Sequence, residues 1–222
     1  MPDGGIAAGT RKARAAETEA ALKEAAKRVF GQVGYLRAKI TDITAEAGRA
    51  AGSFYSHFDG KEQLLEALLV DILAEGDRRA AMPGHDPDFS TFEAVRWHVA
   101  QYWTFVTRNP AVILALQQAA MIDEHFADRQ RELLAPTVRD LAAHLEYVGA
   151  AGGRLPGPPL AVASAIVALM SAYARTWLTG PELGPRPTAD EAVDMLAGLI
   201  LHGITGAPGG NVARSITVSP GR

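Results

Sequence analysis

Residues 43–58, ITAEAGRAAGSFYSHF, decide the fold of this 222-residue chain. Gly48 separates two short helical patterns and predicts a turn of about three residues, because glycine adopts the positive φ that a sharp reversal needs. Ile43, Phe54 and Phe58 are spaced to be buried against neighbouring helices. This arrangement predicts a helix-turn-helix, whose second helix enters the major groove of DNA.

Helical patterns continue on both sides of the motif. The apolar residues of segment 17–33 recur on one helical face, and the helices of the motif are expected at about 41–47 and 50–57. Asp59-Gly60-Lys61-Glu62 is a D-x-x-E pattern, which predicts a capping box at the start of a fourth helix. Five more helices are expected at about 91–107, 111–122, 123–149, 160–178 and 189–205. The predicted fold is therefore all-α, with about nine helices.

The composition along the chain predicts four segments. A flexible basic arm is expected at 1–16, where Arg11, Lys12 and Arg14 either reach DNA or form a solvated terminus. A three-helix helix-turn-helix DNA-binding domain follows at 17–62, and a helical effector-binding and dimerisation domain at 63–206. The Gly-, Pro- and Ser-rich segment 207–222 is expected to be disordered.

Charge and chemistry narrow the class of protein. The formal net charge is −3, yet residues 1–61 carry a charge of +3 and hold every lysine, which suits a DNA-contacting head on an acidic body. The chain has no cysteine, and it lacks the HExxH, G-x-S-x-G and P-loop motifs. We therefore expect no enzyme activity, no cofactor and no metal. The densest acid and histidine cluster, Asp123 to His125 with Asp128, is interpreted as a solvated face.

The hydropathy pattern favours a cytoplasmic protein with no membrane partner. No signal peptide is visible, and the most apolar stretch, residues 160–170, is shorter than the roughly 18–20 residues that a membrane helix needs.

The motif and its continuation resemble the TetR family of bacterial repressors. The resemblance rests on the G-S-F-Y-S-H-F run from Gly52 to Phe58, followed by Lys61-Glu62 and Leu64-Leu65. It is specific over about residues 17–70 and architectural beyond them. The resemblance implies that Ser53 forms a hydrogen bond with DNA and that Lys61 binds a phosphate of the DNA backbone. The full set of expected DNA-binding residues is Lys39, Thr41, Arg49, Ala51, Gly52, Ser53, Tyr55, Ser56, His57 and Lys61.

Some of these positions keep a second interpretation. Arg49 replaces a small apolar residue of the family pattern, and either reads a guanine or pairs with Glu46. Ala51 replaces a frequent Lys or Arg, so one expected contact is missing. Tyr55 packs or contacts DNA, and His57 contacts DNA or caps the third helix. Lys61 has the alternative of being a plain solvated lysine.

Aromatic and polar residues of the middle helices predict an effector pocket, as the family resemblance implies. An apolar cavity with a few amides would favour a small, largely apolar ligand. The alternative is that these residues form ordinary core. The expected pocket residues are Trp97, Gln101, Tyr102, Phe105, Gln117, Met121, Met170, Tyr173 and Trp177.

The last two helices predict a homodimer. One carries a small-residue stripe of Ala165, Leu169, Ala172 and Thr176, and the other carries Val193, Leu196, Ala197, Ile200 and Leu201. Paired across a two-fold axis, such faces would form a four-helix interface, whereas the alternative is burial within one chain.

The sequence therefore predicts a transcriptional regulator, a repressor that a small effector releases from a palindromic operator. The alternative is a helical ligand-binding or adaptor protein without sequence-specific DNA binding.

Overall fold

The computed structural model describes residues 4–81, 83–179 and 184–205, with side chains from residue 11 onward. All regular structure in these ranges is helical, as predicted. The helices are α1 (Gly4–Val33), α2 (Ile40–Glu46), α3 (Ala51–Phe54), α4 (Lys61–Ala80), α5 (Phe92–Arg108), α6 (Pro110–Ile122), α7 (Glu124–Ala150), α8 (Pro159–Ala174) and α9 (Ala189–Thr205), with a π-helical turn at Arg175–Thr179 after α8.

Two helix boundaries correct the predicted ones. The first helix begins at Gly4, within the segment predicted as a flexible arm. Alanine, arginine and lysine dominate this segment and are strong helix formers, so it extends α1. The third helix covers four residues rather than the eight expected at 50–57, because Ala50 offers no capping side chain and Gly52 is a weak helix former. The predicted tail, 207–222, lies outside the described residues.

The start of α4 also differs from the prediction. Its N-cap is Gly60, and no side chain caps it. Gln63 takes the role expected of Glu62, because its Oε1 accepts a hydrogen bond of 2.6 Å from the backbone N–H of Asp59. Glu62 instead accepts from the hydroxyl of Tyr35 at 2.8 Å.

The chain forms two compact units, which differ from the predicted division at residues 62 and 63. The first comprises the described residues within Met1–Pro83, Gln101–Thr137 and Ala172–Arg186. The second comprises those within Gly84–Ala100, Val138–Ser171 and Pro187–Arg222. The predicted boundary lay where the sequence motif ends. The observed first unit extends beyond the motif because α6 packs directly on α1 and α4.

The core of the first unit holds the helix-turn-helix in place. Apolar side chains of α1 and α4 bury those of the motif, and α6 covers both helices with Val112, Ala115 and Leu116. This core contains Leu22, Val29, Phe30, Ile43, Phe54, Phe58, Leu64, Leu65, Leu68 and Leu69.

The second unit corrects the predicted face of α9. Val193, Leu196, Ala197 and Ile200, expected at a dimer interface, are at most 4% exposed and belong to the core of the chain itself. The opposite face of α9 exposes Met195 and Leu199. The helix is apolar on nearly all sides, so the sequence pattern did not distinguish the two faces.

The exposed apolar surface of α8 agrees better with the sequence. Ala165, Leu169 and Ala172 are exposed as predicted, whereas Thr176 is half-buried. The helical run Pro159–Leu178 has 20 residues and a mean hydropathy of 1.3, so length and composition would let it cross a membrane. The run exceeds the predicted apolar stretch because it includes Arg175, whereas the prediction counted only uncharged residues.

Candidate DNA-binding surface

The turn between α2 and α3 is built on Gly48. Its φ is +62°, a backbone conformation that glycine adopts without strain. The N–H of Gly48 donates to the carbonyl of Ala45 at 3.0 Å, and that of Arg49 donates to Thr44 at 2.9 Å. These bonds satisfy carbonyls at the end of α2 and direct the chain into α3.

Buried aromatic residues fix the orientation of α3. Phe54 is fully buried and Phe58 is 4% exposed, and their rings contact each other with centroids 5.6 Å apart. Because both rings point inward, the opposite side of the segment faces solvent. That side, here called the α3 face, comprises Ala51, Gly52, Tyr55 and Ser56, which are all exposed.

The side chains of the α3 face suit contact with DNA. Tyr55 is 61% exposed, so most of its ring surface is available to a partner. The hydroxyl of Ser56 donates to the carbonyl of Gly52 at 3.4 Å, and that of Ser53 donates to Ala50 at 2.8 Å. Either hydroxyl can rotate to donate to a phosphate instead. His57 is half-buried beside Phe58.

Two predicted residues lie at the start of α2. Lys39 and Thr41 are both exposed. The backbone N–H of Lys39 donates to the carboxylate of Asp42 at 3.0 Å, which caps the helix although the N-cap position holds no Ser or Thr. The side chain of Lys39 is thus not needed for capping.

Arg49 is engaged with α1. Its Nη2 lies 3.0 Å from Oε1 of Glu17, and its Nε is buried without a hydrogen-bond partner. The predicted alternative partner, Glu46, pairs with Arg28. Arg49 must therefore break a contact with Glu17 before its guanidinium can reach a base.

Lys61 is held by the loop between α1 and α2. Its Nζ donates to the carbonyls of Tyr35 at 2.8 Å and Ala38 at 3.2 Å, and it lies 4.2 Å from the centre of the Tyr35 ring. Burial lowers the pKa of Lys61 below its ordinary value. An ammonium group has three N–H donors, so a phosphate contact would use the one that these carbonyls do not take.

Tyr35, which sequence reasoning did not select, supports this surface through Glu62 and Gln118. The hydroxyl of Tyr35 donates to Glu62, and burial together with this carboxylate raises the pKa of Tyr35 well above its ordinary value. The backbone N–H of Tyr35 donates to Oε1 of Gln118, on α6, at 3.2 Å. No local pattern could reveal these pairs, because the partners lie 27 and 83 positions from Tyr35.

The predicted effector residues fall in both units. Gln101, Tyr102, Phe105, Gln117, Tyr173 and Trp177 are half-buried residues of the first unit. The ring of Tyr173 contacts those of Trp103 and Trp177, at 5.7 Å and 6.1 Å. Trp97 and Met170 belong to the second unit. Met121 is 85% exposed at the end of α6, so this chain alone does not enclose it in a pocket, contrary to the prediction.

Comparison with known proteins agrees with this architecture. A family model described as "Bacterial regulatory proteins, tetR family" matches residues 22–68. The HTH-type transcriptional regulator TtgR of Pseudomonas putida is 39% identical over 69 residues, which are 31% of this chain and 33% of TtgR. The A-factor receptor protein of Streptomyces griseus is 37% identical over 59 residues, 27% of this chain and 21% of that protein. The matched segment thus spans a third or less of these relatives.

Solved structures share the fold over most of the chain. The transcriptional regulator FadR from Bacillus subtilis, in complex with stearoyl-CoA, superimposes with a TM-score of 0.70 at 17% identity, covering 83% of this chain and 98% of FadR. A transcriptional regulator from Saccharomonospora viridis in complex with choline gives 0.66 at 20% identity, covering 86% and 100%. The helix-turn-helix segment therefore matches the tetR family of bacterial regulatory proteins, and the chain as a whole shares the helical fold of these solved regulators.

Proposed function

We propose that this protein is a cytoplasmic transcriptional repressor, and not an enzyme, that binds a palindromic operator as a homodimer and leaves it when a small effector binds. The observation that carries the proposal is the α3 face, where small and hydroxyl-bearing side chains stand exposed above buried Phe54 and Phe58. Small residues let a helix backbone approach base edges closely, and Tyr55 with the serines supplies hydrogen-bonding groups.

The DNA contacts divide into two groups in this proposal. The α3 face, with Ser53 and His57 at its margin, meets the major groove. Lys39 and Thr41 contact phosphates from the start of α2, and Lys61 contributes one N–H. Arg49 joins them only if its bond to Glu17 opens. The exposed Arg11, Lys12 and Arg14 of α1 extend the basic surface.

The second unit supplies the surface for dimerisation. Leu169 of α8 and Met195 and Leu199 of α9 are between 41% and 56% exposed. Exposed apolar side chains on neighbouring turns favour a partner with the same surface, since a two-fold axis pairs each patch with its copy. A dimer interface also accounts for the apolar composition of Pro159–Leu178 without a membrane.

The effector site is proposed among the first unit's aromatic residues. FadR is known in complex with stearoyl-CoA and the S. viridis regulator with choline, so related folds hold ligands with apolar parts. Tyr102, Phe105, Gln117, Tyr173 and Trp177 combine rings with an amide, which suits a small, largely apolar ligand. Trp177 lies in the π-helical turn, a distortion that frequently accompanies functional sites.

Helix α6 offers a route from this site to the DNA-binding surface. It contacts the π-helical turn as well as α1 and α4, and its Gln118 accepts the hydrogen bond from Tyr35. A ligand that shifts α6 would therefore also shift the loop that holds Lys61. A ligand that prefers the shifted state lowers DNA affinity in proportion to that preference.

A matched pair of lysines tests the DNA-binding part of the proposal. The probe is a duplex that the full-length protein enriches from random DNA, and affinity is measured between about 50 and 200 mM salt. Lys39→Ala should reduce the slope of log affinity against log salt by about 1, because one phosphate contact is lost. Lys27→Ala removes a lysine that pairs with Glu24 on α1, so its slope should equal that of the wild type.

The alternative, a helical ligand-binding or adaptor protein, predicts a different result. Such a protein would enrich no common DNA sequence, and neither lysine would matter more than the other. Equal slopes for the wild type and Lys39→Ala would reject the proposed docking of α2 on the DNA backbone.

A further inference from the structure

Three histidines meet in the second unit, at a place that the DNA-binding function does not use. His85 lies in the loop before α5, His98 lies on α5, and His144 lies on α7. Each offers one ring nitrogen, and these three nitrogens lie within 4.8 Å of one another. The three side chains are half-buried, so the cluster is not a chance meeting of solvated residues.

The hydrogen bonds of the cluster leave ring nitrogens available. Nδ1 of His98 lies 2.8 Å from the carbonyl of Ala94 and must donate its proton there, so Nε2 of His98 carries a lone pair. That atom faces Nε2 of His85 at 3.1 Å. Nδ1 of His144 is buried and has no hydrogen-bond partner. A buried ring nitrogen without a partner is costly unless a ligand satisfies it.

Aromatic rings surround the cluster, and burial favours the neutral form of His98 and His144. The ring of Phe89 stacks on His144 with centroids 5.4 Å apart, and the ring of Trp97 contacts His85 and His98. Burial lowers the pKa of His98 to about 4 and also lowers the pKa of His144. Neutral imidazole is the form that ligates metals.

Two carboxylates lie close enough to complement added positive charge. Asp86, next to His85 in the loop, acts electrostatically on His98, and Asp140, one helical turn before His144, acts on His144. Carboxylates near histidine ligands typically orient the rings and increase their basicity.

We propose that His85, His98 and His144 bind one divalent first-row transition metal ion, of which Zn²⁺ is the representative. Imidazole nitrogen suits zinc, copper and nickel, and the chain has no cysteine that would favour softer ions. Metal–nitrogen bonds of about 2.0–2.1 Å place ligand nitrogens roughly 3.4 Å apart in a tetrahedral site, so the cluster needs only a small contraction. His85 would move its proton to Nδ1 and present Nε2.

Such an ion would join the loop before α5 to both helices. Three protein ligands leave the fourth tetrahedral position for water or for a donor atom of another molecule. The proposal is independent of the DNA-binding function, since a metal titration needs no operator.

The test is a titration of the dialysed full-length protein, free of any histidine tag, with Zn²⁺ and with Co²⁺. The wild type should bind one equivalent per chain, and bound Co²⁺ should absorb visible light as a tetrahedral complex. His85→Gln and His144→Gln should weaken binding at least about 100-fold. The control is His125→Gln, which removes an exposed histidine from α7 and should bind like the wild type. Less than one equivalent in the wild type, or unchanged binding by both cluster variants, would overturn the proposal.

A second measurement uses only the wild type and so does not depend on the folding of the variants. The chain has six histidines, and ¹⁵N resonances of their rings can be followed during the Zn²⁺ titration. The rings of His85, His98 and His144 should shift together and saturate at one equivalent. Saturable shifts at His57, His125 or His202 with none in the cluster would show that the cluster is ordinary core packing.

Discussion

Tyr35, which was not chosen from the sequence, links the loop between α1 and α2 to α4 and α6. Its ring is 1% exposed, its hydroxyl donates to Glu62, and its carbonyl accepts from Lys61. It occupies the loop between α1 and α2, where no motif directed attention to it. The sequence did identify Ile43, Gly48, Phe54 and Phe58 correctly, because periodicity and glycine geometry are local properties. The partners of Lys61 and Arg49 are distant in sequence and depend on tertiary packing.

Ionisation of Tyr35 should limit stability at high pH. The folded state keeps the proton that the unfolded chain releases near pH 10, so the free energy of unfolding should fall as the pH rises above 10. Tyr35→Phe should lose about 0.5–3 kcal/mol at pH 8 with the hydrogen bond to Glu62, and should show a smaller further loss between pH 10 and 11.5. Urea unfolding at several pH values measures both effects.

Tyr55→Phe is the matched control, since Tyr55 is exposed in the same unit. It should keep the alkaline decline of the wild type. An equal decline in Tyr35→Phe would show that another group controls alkaline stability.

At the scale of elements, the helix-turn-helix depends on one backbone conformation. Added Cβ atoms at Gly48 and Gly52 would both meet open space, but only Gly48 has a positive φ. An alanine at either position would meet no steric clash, so only the substitution at Gly48 would introduce backbone strain.

Gly48→Ala should destabilise the protein by about 1–2 kcal/mol, the cost of the left-handed conformation for a residue with a Cβ. Gly52→Ala should be as stable as the wild type or up to about 1 kcal/mol more stable, because alanine favours helix. Chemical denaturation measures both, and DNA affinity should fall in Gly52→Ala because its methyl group lies on the α3 face. A fully stable Gly48→Ala protein would contradict the assigned turn.

Helix number and order were predictable, since apolar periodicity and breakers such as Asn109-Pro110 mark most boundaries. The faces of apolar helices were not. Both sides of α9 are apolar, so the sequence assigned Val193 and Leu196 to a dimer interface although they are buried within the chain. A helical pattern indicates which residues share a face but not what covers that face.

At the scale of the whole molecule, the account requires a second copy of the chain. Leu199→Glu should convert the dimer to a monomer, because it places a charge in the proposed apolar interface. Leu36→Glu is the control, since Leu36 is 54% exposed and Leu199 is 56% exposed, yet Leu36 lies in the DNA-binding head. Sedimentation at micromolar concentration should show a monomer for the first variant and a dimer for the second. A dimer of unchanged stability in Leu199→Glu would contradict the assigned interface.

The central claim, that the α3 face reads operator DNA, is tested most directly by genome-wide mapping of bound DNA. The wild type and Lys27→Ala should occupy the same sites, inverted repeats whose half-sites lie about 34–36 Å apart or a multiple of it. Tyr55→Ala, whose exposed ring contributes little to the core, should lose these sites while remaining folded. Occupancy of the same sites by folded Tyr55→Ala, or the absence of a shared repeat among the wild-type sites, would contradict the account.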